Sequence, residues 1–297
     1  MSPIGRRLGT AMVTLMREPA PALAPFVDVL WYVDEPLPPG RERAVPNGSM
    51  QIVVNLGADV LRWYDGDGLA TMHSTRGSGL CGAIAHPVGI DTADQRASVG
   101  VAFRPGGVAP FFHPPADALV EPVIGLDTLW GRDGASLRER LLEQPTPEAM
   151  LRTLERLLLA RVIRPELMPR LDRFPPPSRR STPAPRDGMG YAIGALGQGA
   201  TIGAVVDRLG MTPSTFTRRF RAAVGLNPKP FARIRRLQRV LGGLRGETEQ
   251  DWAAVAADHG YFDQAHMINE FRALTGVTPG QYRPRAPGEQ NHIPLGP

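Results

Sequence analysis

Cysteine and long apolar runs are nearly absent from this chain of 297 residues. A single cysteine, Cys81, excludes a disulfide framework and a zinc site built from cysteines. No stretch approaches the roughly 18 consecutive apolar residues of a membrane-spanning helix, and the N-terminus lacks the pattern of a secretory signal. We therefore expect a cytoplasmic protein that makes no membrane contact.

Positive charge is concentrated in the last third of the sequence. Residues 1–187 carry 21 basic and 21 acidic side chains, whereas residues 188–285 carry 13 basic and 7 acidic ones, a net charge of +6. Such a local excess is expected of a segment that binds a polyanion such as nucleic acid. A helical face exposed to solvent would give the same excess, so charge alone does not decide between the two.

Turn signals and apolar spacing divide the chain into four segments. Short apolar runs predict strands up to about residue 130, leucines spaced by three and four residues predict helices after Gly134, and seven prolines within 164–187 predict a linker. We expect an α+β protein of two domains. These are an N-terminal domain (1–163) with a small antiparallel β-sheet or barrel and following helices, and an all-α domain (188–285) followed by a disordered tail (286–297). The predicted strands are Phe26–Val33, Met50–Leu56, Val60–Tyr64, Leu80–Ala85 and Ala97–Phe103.

The last third contains the same helical pattern twice. In the first copy, residues 202–209 form an apolar face and end at Gly210, where a helix C-terminus favours glycine. Thr212 suits the N-cap of a second helix, and Phe216 and Phe220 lie on one face of it. A short helix, a glycine turn and a second helix with a polar outer face are typical of a helix-turn-helix unit.

The second copy occupies residues 252–271, with Asp263 as the N-cap and with Met267 and Phe271 as the buried anchors. A helix predicted over 230–244, about 22 Å long, joins the two copies. Two recognition helices held apart by such a spacer match two major-groove segments about one DNA turn, roughly 34 Å, apart. A single chain would then contact two half-sites.

This region contains four stretches in a distinctive order and spacing: Gly210–Phe220, Val224–Lys229, Gly260–Phe271 and Gly276–Arg283. Together they resemble the DNA-binding domain of the AraC/XylS family of transcription regulators. The resemblance implies a double helix-turn-helix domain over 188–285 whose helices 213–224 and 264–274 enter successive major-groove segments. It places base-contacting side chains at Ser214, Thr217 and Arg218 in the first unit and at Gln264, Ala265, His266 and Asn269 in the second.

These side chains differ in what they offer to a base pair. The planar fork of Arg218 matches guanine O6 and N7, and the amides of Gln264 and Asn269 match adenine N6 and N7. Ala265 cannot hydrogen-bond a base, and Asn269 stands where Arg is common in the family. Five further arginines are interpreted as phosphate contacts or as solubilising residues: Arg219, Arg221, Arg235, Arg236 and Arg272.

Two N-terminal stretches, 45–56 and 99–107, resemble an uncharacterised domain found on a subgroup of these regulators. This resemblance implies effector sensing, self-association or both. Residues 104–107 (Arg-Pro-Gly-Gly) are expected to leave a strand and begin a helix, so that Arg104 and the amides of Gly106 and Gly107 would hold an anion or effector. A tight turn with an ion-paired arginine is the alternative.

The leading hypothesis is a sequence-specific DNA-binding transcription regulator and not an enzyme. We expect no catalytic residues, no metal and no cofactor, and we expect promoter DNA and RNA polymerase as partners, with a small-molecule effector and a homodimer left open. One alternative is a small barrel enzyme with an appended DNA-binding module, although no Gly-x-Ser-x-Gly or His-Glu-x-x-His signature is present. Another is a DNA-binding protein without sequence preference, which would show a steep salt dependence and no preferred site.

Overall fold

The computed structural model describes residues 13–119, 121–162, 188–244, 251–286 and 288–295, so the expected linker 164–187 lies outside the described residues. No helix in these ranges is long and apolar enough to cross a bilayer. The strands are β1 (Val13–Arg17), β2 (Val27–Asp34), β3 (Arg41–Ala44), β4 (Gln51–Asn55), β5 (Leu61–Asp65), β6 (Thr71–Thr75), β7 (Ser78–Cys81), β8 (Val88–Asp91), β9 (Ala97–Phe103), β10 (Val123–Gly125) and β11 (His292–Pro294). The α-helices are α1 (Leu126–Trp130), α2 (Arg132–Ala135), α3 (Leu137–Leu142), α4 (Pro147–Arg161), α5 (Gly188–Gly197), α6 (Ile202–Leu209), α7 (Pro213–Val224), α8 (Pro228–Gly243), α9 (Trp252–Asp258) and α10 (Gln264–Thr275).

In the described part of the chain, the strands form two antiparallel sheets, in the orders β1-β2-β9-β4-β7-β10 and β11-β3-β8-β5-β6. This arrangement confirms the expected α+β class, with an antiparallel β-domain followed by a helical domain. Of the five predicted strands, β9 has the predicted bounds, and β2, β4 and β5 differ by one residue at each end. β7 begins earlier and ends earlier than predicted because the chain leaves the sheet after Cys81.

The core of the N-terminal domain is built around β9, which lies between β2 and β4. Val99 and Val101 on this strand are fully buried. The residue between them is Gly100. A Cβ at this position would collide with the carbonyl oxygen of Ile52 and with the ring of Trp31. A glycine at this position therefore lets the indole pack flat on the strand.

Helix α4 covers this sheet and contacts β1, β2 and β9. The helix begins where Thr146 caps it by accepting the amide N–H of Ala149. The buried Glu155 carboxylate accepts hydrogen bonds from Arg17 Nη2 at 2.6 Å and from the Ala20 N–H at 2.8 Å. One acidic side chain thus holds the helix against the edge strand β1.

The tail 286–297 was expected to be disordered, and this expectation is wrong for the residues that the structure describes. β11 pairs with β3 at the edge of the second sheet, and Ile293 is only 3% exposed. The Val45 N–H donates to the Asn291 carbonyl at 2.8 Å, and the Leu295 N–H donates to the Arg41 carbonyl at 2.8 Å. The strand was missed because its partner lies some 250 positions earlier in the chain, so no local pattern predicts it.

A buried carboxylate secures this C-terminal strand. Glu42 on β3 is 2% exposed and accepts hydrogen bonds from Arg285 Nη1 at 3.0 Å and from His292 Nδ1 at 3.1 Å. Burial by itself raises the pKa of Glu42, but the hydrogen bond from His292 and the charge of Arg285 outweigh it, so that the pKa lies below its ordinary value. The segment that follows the helical domain is therefore tied to the N-terminal domain by charge as well as by strand pairing.

The two domains also meet along helix α8. Val45, 4% exposed, belongs to the apolar core of the helical domain. Gly48 has a φ of +83° and lies against the ring of Phe231, so a side chain there would be both strained and crowded. Gln238 Nε2 donates to the Pro46 carbonyl at 2.8 Å. The turn 45–48 of the N-terminal domain thus rests on the helix that joins the two helix-turn-helix units.

Candidate nucleic-acid interface

The first helix-turn-helix unit consists of α6 and α7 and has the predicted turn between them. Gly210 ends α6 in the left-handed region with a φ of +61°, and the Met211 N–H donates to the Val206 carbonyl. Thr212 caps α7 by accepting the Thr215 N–H at 3.3 Å, and Pro213 occupies its first position. α7 therefore has the predicted bounds, 213–224.

α7 buries one side and exposes the other. Phe216 and Phe220 are fully buried, and Phe220 packs edge-on against Phe231 of α8 with ring centroids 5.3 Å apart. The predicted base-contacting side chains Ser214, Thr217 and Arg218 are all exposed on the opposite side. They line an open cleft of about 550 Å³, which is also lined by Asp117 in the 3₁₀ turn Ala116–Ala118 of the N-terminal domain.

The second unit, α9 and α10, repeats this construction. Asp251 caps α9, Gly260 ends the turn with a φ of +71°, and Asp263 caps α10 by accepting the His266 N–H at 2.7 Å. Met267 and Phe271 are fully buried beneath α10. The predicted base-contacting residues of α10 are all exposed: Gln264, Ala265, His266 and Asn269.

His266 is less free than its three neighbours. Its Nδ1 lies 3.4 Å from the Phe262 backbone N–H, and its ring packs edge-on against Tyr261 with centroids 5.5 Å apart. Its Nε2 lies 3.9 Å from a carboxylate oxygen of Glu270. His266 is therefore bound to the turn that precedes α10, whereas Gln264, Ala265 and Asn269 project from the helix.

The five arginines predicted to contact phosphates fall into three groups. Arg219 and Arg272 make no ion pair within the described residues, and Arg221 is ion-paired to Asp117 at 3.2 Å. Arg235 and Arg236 are bound to groups inside the protein, so their interpretation as phosphate contacts stays a prediction that would require these contacts to break. Arg235 donates to the Asn47 carbonyl at 3.2 Å, and burial and the nearby Arg239 charge lower its pKa.

Arg236 belongs to a buried ionic cluster that the sequence analysis missed. Glu270 on α10 accepts from Arg236 Nη2 at 2.9 Å and from Arg233 Nε at 2.8 Å, and its side chain is only 4% exposed. The Arg236 guanidinium also lies 4.2 Å above the ring of Tyr261. Burial, with the neighbouring Glu270 charge, raises the pKa of Tyr261 to about 12.

This cluster joins the spacer helix α8 to the second recognition helix α10. Its sequence signal is an acidic residue on the apolar side of a helix. Met267 and Phe271 belong to the apolar stripe of α10. Glu270 follows Met267 by three positions and directly precedes Phe271, so it lies on the same side of the helix. A charge at such a position needs a buried partner, and two arginines one turn apart on α8 provide it.

At the glycine turn 104–107, Arg104 is bound to groups of the protein itself. Arg104 Nε donates to the Ala24 carbonyl at 2.9 Å, and its Nη1 lies 3.4 Å from the Asp28 carboxylate. Gly107 packs against the carbonyl of Phe26, and Gly106 has a φ of +79° and lies against Ile193. Turns rather than a helix follow at 105–111. These contacts agree with the alternative of a tight turn with an ion-paired arginine, and the anion site stays a prediction.

Two family models match the chain, one in each domain. The family described as "Helix-turn-helix domain" matches residues 205–285, and the family described as "Domain of unknown function (DUF6597)" matches residues 16–124. The first match covers most of both helix-turn-helix units, and the second covers most of the two sheets. No curated protein matches the chain.

Solved structures of ToxT are similar over most of the chain, and one of XylR over less than half of it, all at low sequence identity. A 1.65 Å structure of ToxT from Vibrio cholerae is 9% identical, with a TM-score of 0.42, and the alignment covers 92% of this chain and 97% of that one. Wild-type ToxT with a bound unsaturated fatty acid, from strain SCE256, is 8% identical, with a TM-score of 0.41 and coverage of 94% and 96%. The xylose-binding transcription activator XylR is 18% identical, with a TM-score of 0.27 and coverage of 46% and 38%.

The matched helix-turn-helix family, the two capped helix-turn-helix units and their exposed recognition faces agree with one another. Residues 205–285 therefore form a helix-turn-helix domain, and residues 16–124 form a domain of a family whose function is not known.

Proposed function

We propose that this protein is a transcription regulator of the AraC type, which binds promoter DNA by inserting α7 and α10 into two successive major-groove segments on one side of the duplex. The observation that carries the proposal is that both helices bury their aromatic anchors and expose the side chains that suit base contacts. α8, with 16 residues, spans about 24 Å along its axis. A spacer of that length is compatible with recognition helices one DNA turn, about 34 Å, apart.

The proposed base contacts differ between the two half-sites, because the two helices expose different hydrogen-bonding groups. Arg218 would donate to guanine O6 and N7 in the first half-site, where Ser214 and Thr217 add shorter contacts. Gln264 and Asn269 would pair with adenine in the second half-site, while His266 would mainly hold the turn. Arg219, Arg221 and Arg272 are the favoured phosphate contacts, and Arg235 and Arg236 are less favoured because they already have partners inside the protein.

A binding-site selection followed by affinity measurements tests this assignment. Arg218→Ala should weaken binding to the selected duplex by about 1–3 kcal/mol and relax the preference at one base pair. Arg272→Ala should weaken all duplexes about equally and reduce the salt slope by about one. Arg152→Ala, on an exposed site of α4, is the matched control. Equal losses on selected and random DNA for Arg218→Ala would contradict base contact and favour a protein without sequence preference.

The N-terminal domain is proposed to regulate this activity, by sensing a small-molecule effector, by forming a homodimer, or both. The support is the contact between the turn Ala116–Ala118 and α7, where Asp117 neutralises Arg221. A change in the N-terminal domain at this turn would alter the charge that α7 presents to DNA. RNA polymerase is the further partner that a promoter-bound regulator of this kind implies.

A further inference from the structure

Phe262 is the most exposed large apolar side chain in the described part of the protein. It is 91% exposed, and the next, Met16, is 62% exposed. Phe262 immediately precedes Asp263, the N-cap of α10, and so lies at the end of the recognition helix that points into the groove in helix-turn-helix proteins. Its exposure is therefore located where DNA is expected to bind.

The turn that carries Phe262 is firmly held. Gly260 takes a positive φ, and the Tyr261 N–H donates to the Ala256 carbonyl at 2.9 Å. Tyr261 then points inward, 7% exposed, beneath the Arg236 guanidinium. Because Tyr261 points inward and the Phe262 N–H approaches His266 Nδ1 at 3.4 Å, the Phe262 ring faces outward on a fixed backbone.

The exposed surface around Phe262 is mostly polar but includes one other apolar residue, Ala265. Ala265, three positions later, is exposed on the first turn of α10, between the polar side chains of Gln264 and His266. In the major groove the apolar group that a base presents is the C5-methyl group of thymine. A protein partner is a poorer fit, because a stable interface buries roughly 800 Å² on each side, whereas here one ring is surrounded by polar residues.

We propose that Phe262, with Ala265, contacts the C5-methyl group of a thymine at the edge of the second half-site and so determines specificity there. This inference rests on the proposed insertion of α10 into the major groove. At the N-terminal end of α10, Phe262 and Ala265 have no side-chain group that can hydrogen-bond a base, and the proposal gives both of them an apolar contact with thymine instead.

Replacing thymine by deoxyuridine tests the proposal, because it removes the methyl group and leaves the hydrogen-bonding groups unchanged. The probe is a duplex selected from a random library by the full chain, together with copies in which each thymine is replaced singly. For the wild-type chain, one replacement in the second half-site should weaken binding about fourfold, which corresponds to about 0.8 kcal/mol for one buried apolar carbon. Phe262→Ala should bind the thymine duplex more weakly and should no longer distinguish thymine from uracil at that position.

Two further variants complete the experiment. Phe262→Leu keeps an apolar side chain and should retain a methyl effect. Met72→Ala, which removes an exposed apolar side chain from β6, should change nothing. Because Phe262 is exposed, its variants should keep the circular dichroism spectrum of the wild type.

The proposal is overturned if no thymine in the second half-site shows a methyl effect, or if the effect persists in Phe262→Ala. Asn269→Ala separates this failure from failure of the proposed function. If Asn269→Ala still relaxes preference at another base pair, α10 enters the groove and only the role of Phe262 is wrong. If neither variant alters any preference, the insertion of α10 is wrong as well.

Discussion

Replacing Glu270 by glutamine is expected to destabilise the helical domain more than any exposed substitution of the same kind. Glu270 is 4% exposed and accepts hydrogen bonds from Arg233 and Arg236, the latter through both carboxylate oxygens. Glutamine has nearly the same shape, but it removes the negative charge and turns one acceptor oxygen into a donor group that faces a guanidinium. Two cations would then share a single acceptor.

The magnitude follows from the burial of the three side chains. Removing one partner of a fully buried ion pair costs about 3–5 kcal/mol. Arg233 and Arg236 are 39% and 21% exposed and can recover part of their hydration. One oxygen of the glutamine also still accepts a hydrogen bond. We therefore expect Glu270→Gln to lower the free energy of unfolding by about 2 kcal/mol, within the range of charge-assisted hydrogen bonds.

Urea denaturation of the full chain, followed by circular dichroism at 222 nm, measures this loss. The midpoint should fall while the slope stays constant, because the surface exposed on unfolding is unchanged. Glu139→Gln is the control, since Glu139 is 51% exposed and lies 3.9 Å from Arg76. Its effect should stay within about 0.5 kcal/mol. Equal midpoints for the two variants would refute the view that Glu270 joins α8 to α10.

Two other contacts give predictions of known sign. The lowered pKa of Glu42 means that its stabilising effect is complete above the ordinary carboxyl pKa and is lost as the pH falls through the folded value. Glu42→Gln should therefore lower the melting temperature at pH 7. It should also reduce the fall in melting temperature between about pH 5 and pH 3. The same pH profile in wild type and variant would argue against stabilisation by ionised Glu42. Asp117→Asn should free Arg221 and strengthen binding to specific and random DNA alike, by up to about fivefold for a partly exposed ion pair. Asp133→Asn is the control, because it disrupts the ion pair to Arg161 in the N-terminal domain, and it should have no effect on binding. Equal affinities for wild type and Asp117→Asn would show that the ion pair between Asp117 and Arg221 does not limit DNA binding.

The helical domain could be predicted closely because its signals are local. α7 begins and ends as expected, since Thr212 caps it and Gly225 ends it with a φ of +85°. α10 extends one residue past the prediction, to Thr275. A cap, a glycine and an apolar stripe all lie within a dozen residues of one another, so the sequence alone contains them.

Features that depend on distant partners could not be predicted in this way. β3 has the sequence Arg-Glu-Arg-Ala and shows no apolar alternation, and it is a strand because β8 and β11 pair with it. Arg235 occupies an ordinary position on the polar side of α8, and only the turn at Asn47, 188 positions earlier, makes it an internal contact. The same dependence explains why the tail was wrongly expected to be disordered.

Methylation interference on the selected duplex tests the central claim most directly, since methylated guanine N7 blocks a major-groove contact. We predict interfering guanines in the first half-site and, in a parallel uracil-interference experiment, interfering thymines in the second half-site. The centres of the two clusters should lie about 10 base pairs apart on one face of the helix. Arg218→Ala should remove interference from the first cluster and leave the second. A single cluster, or two clusters on opposite faces of the duplex, would contradict the insertion of both helices.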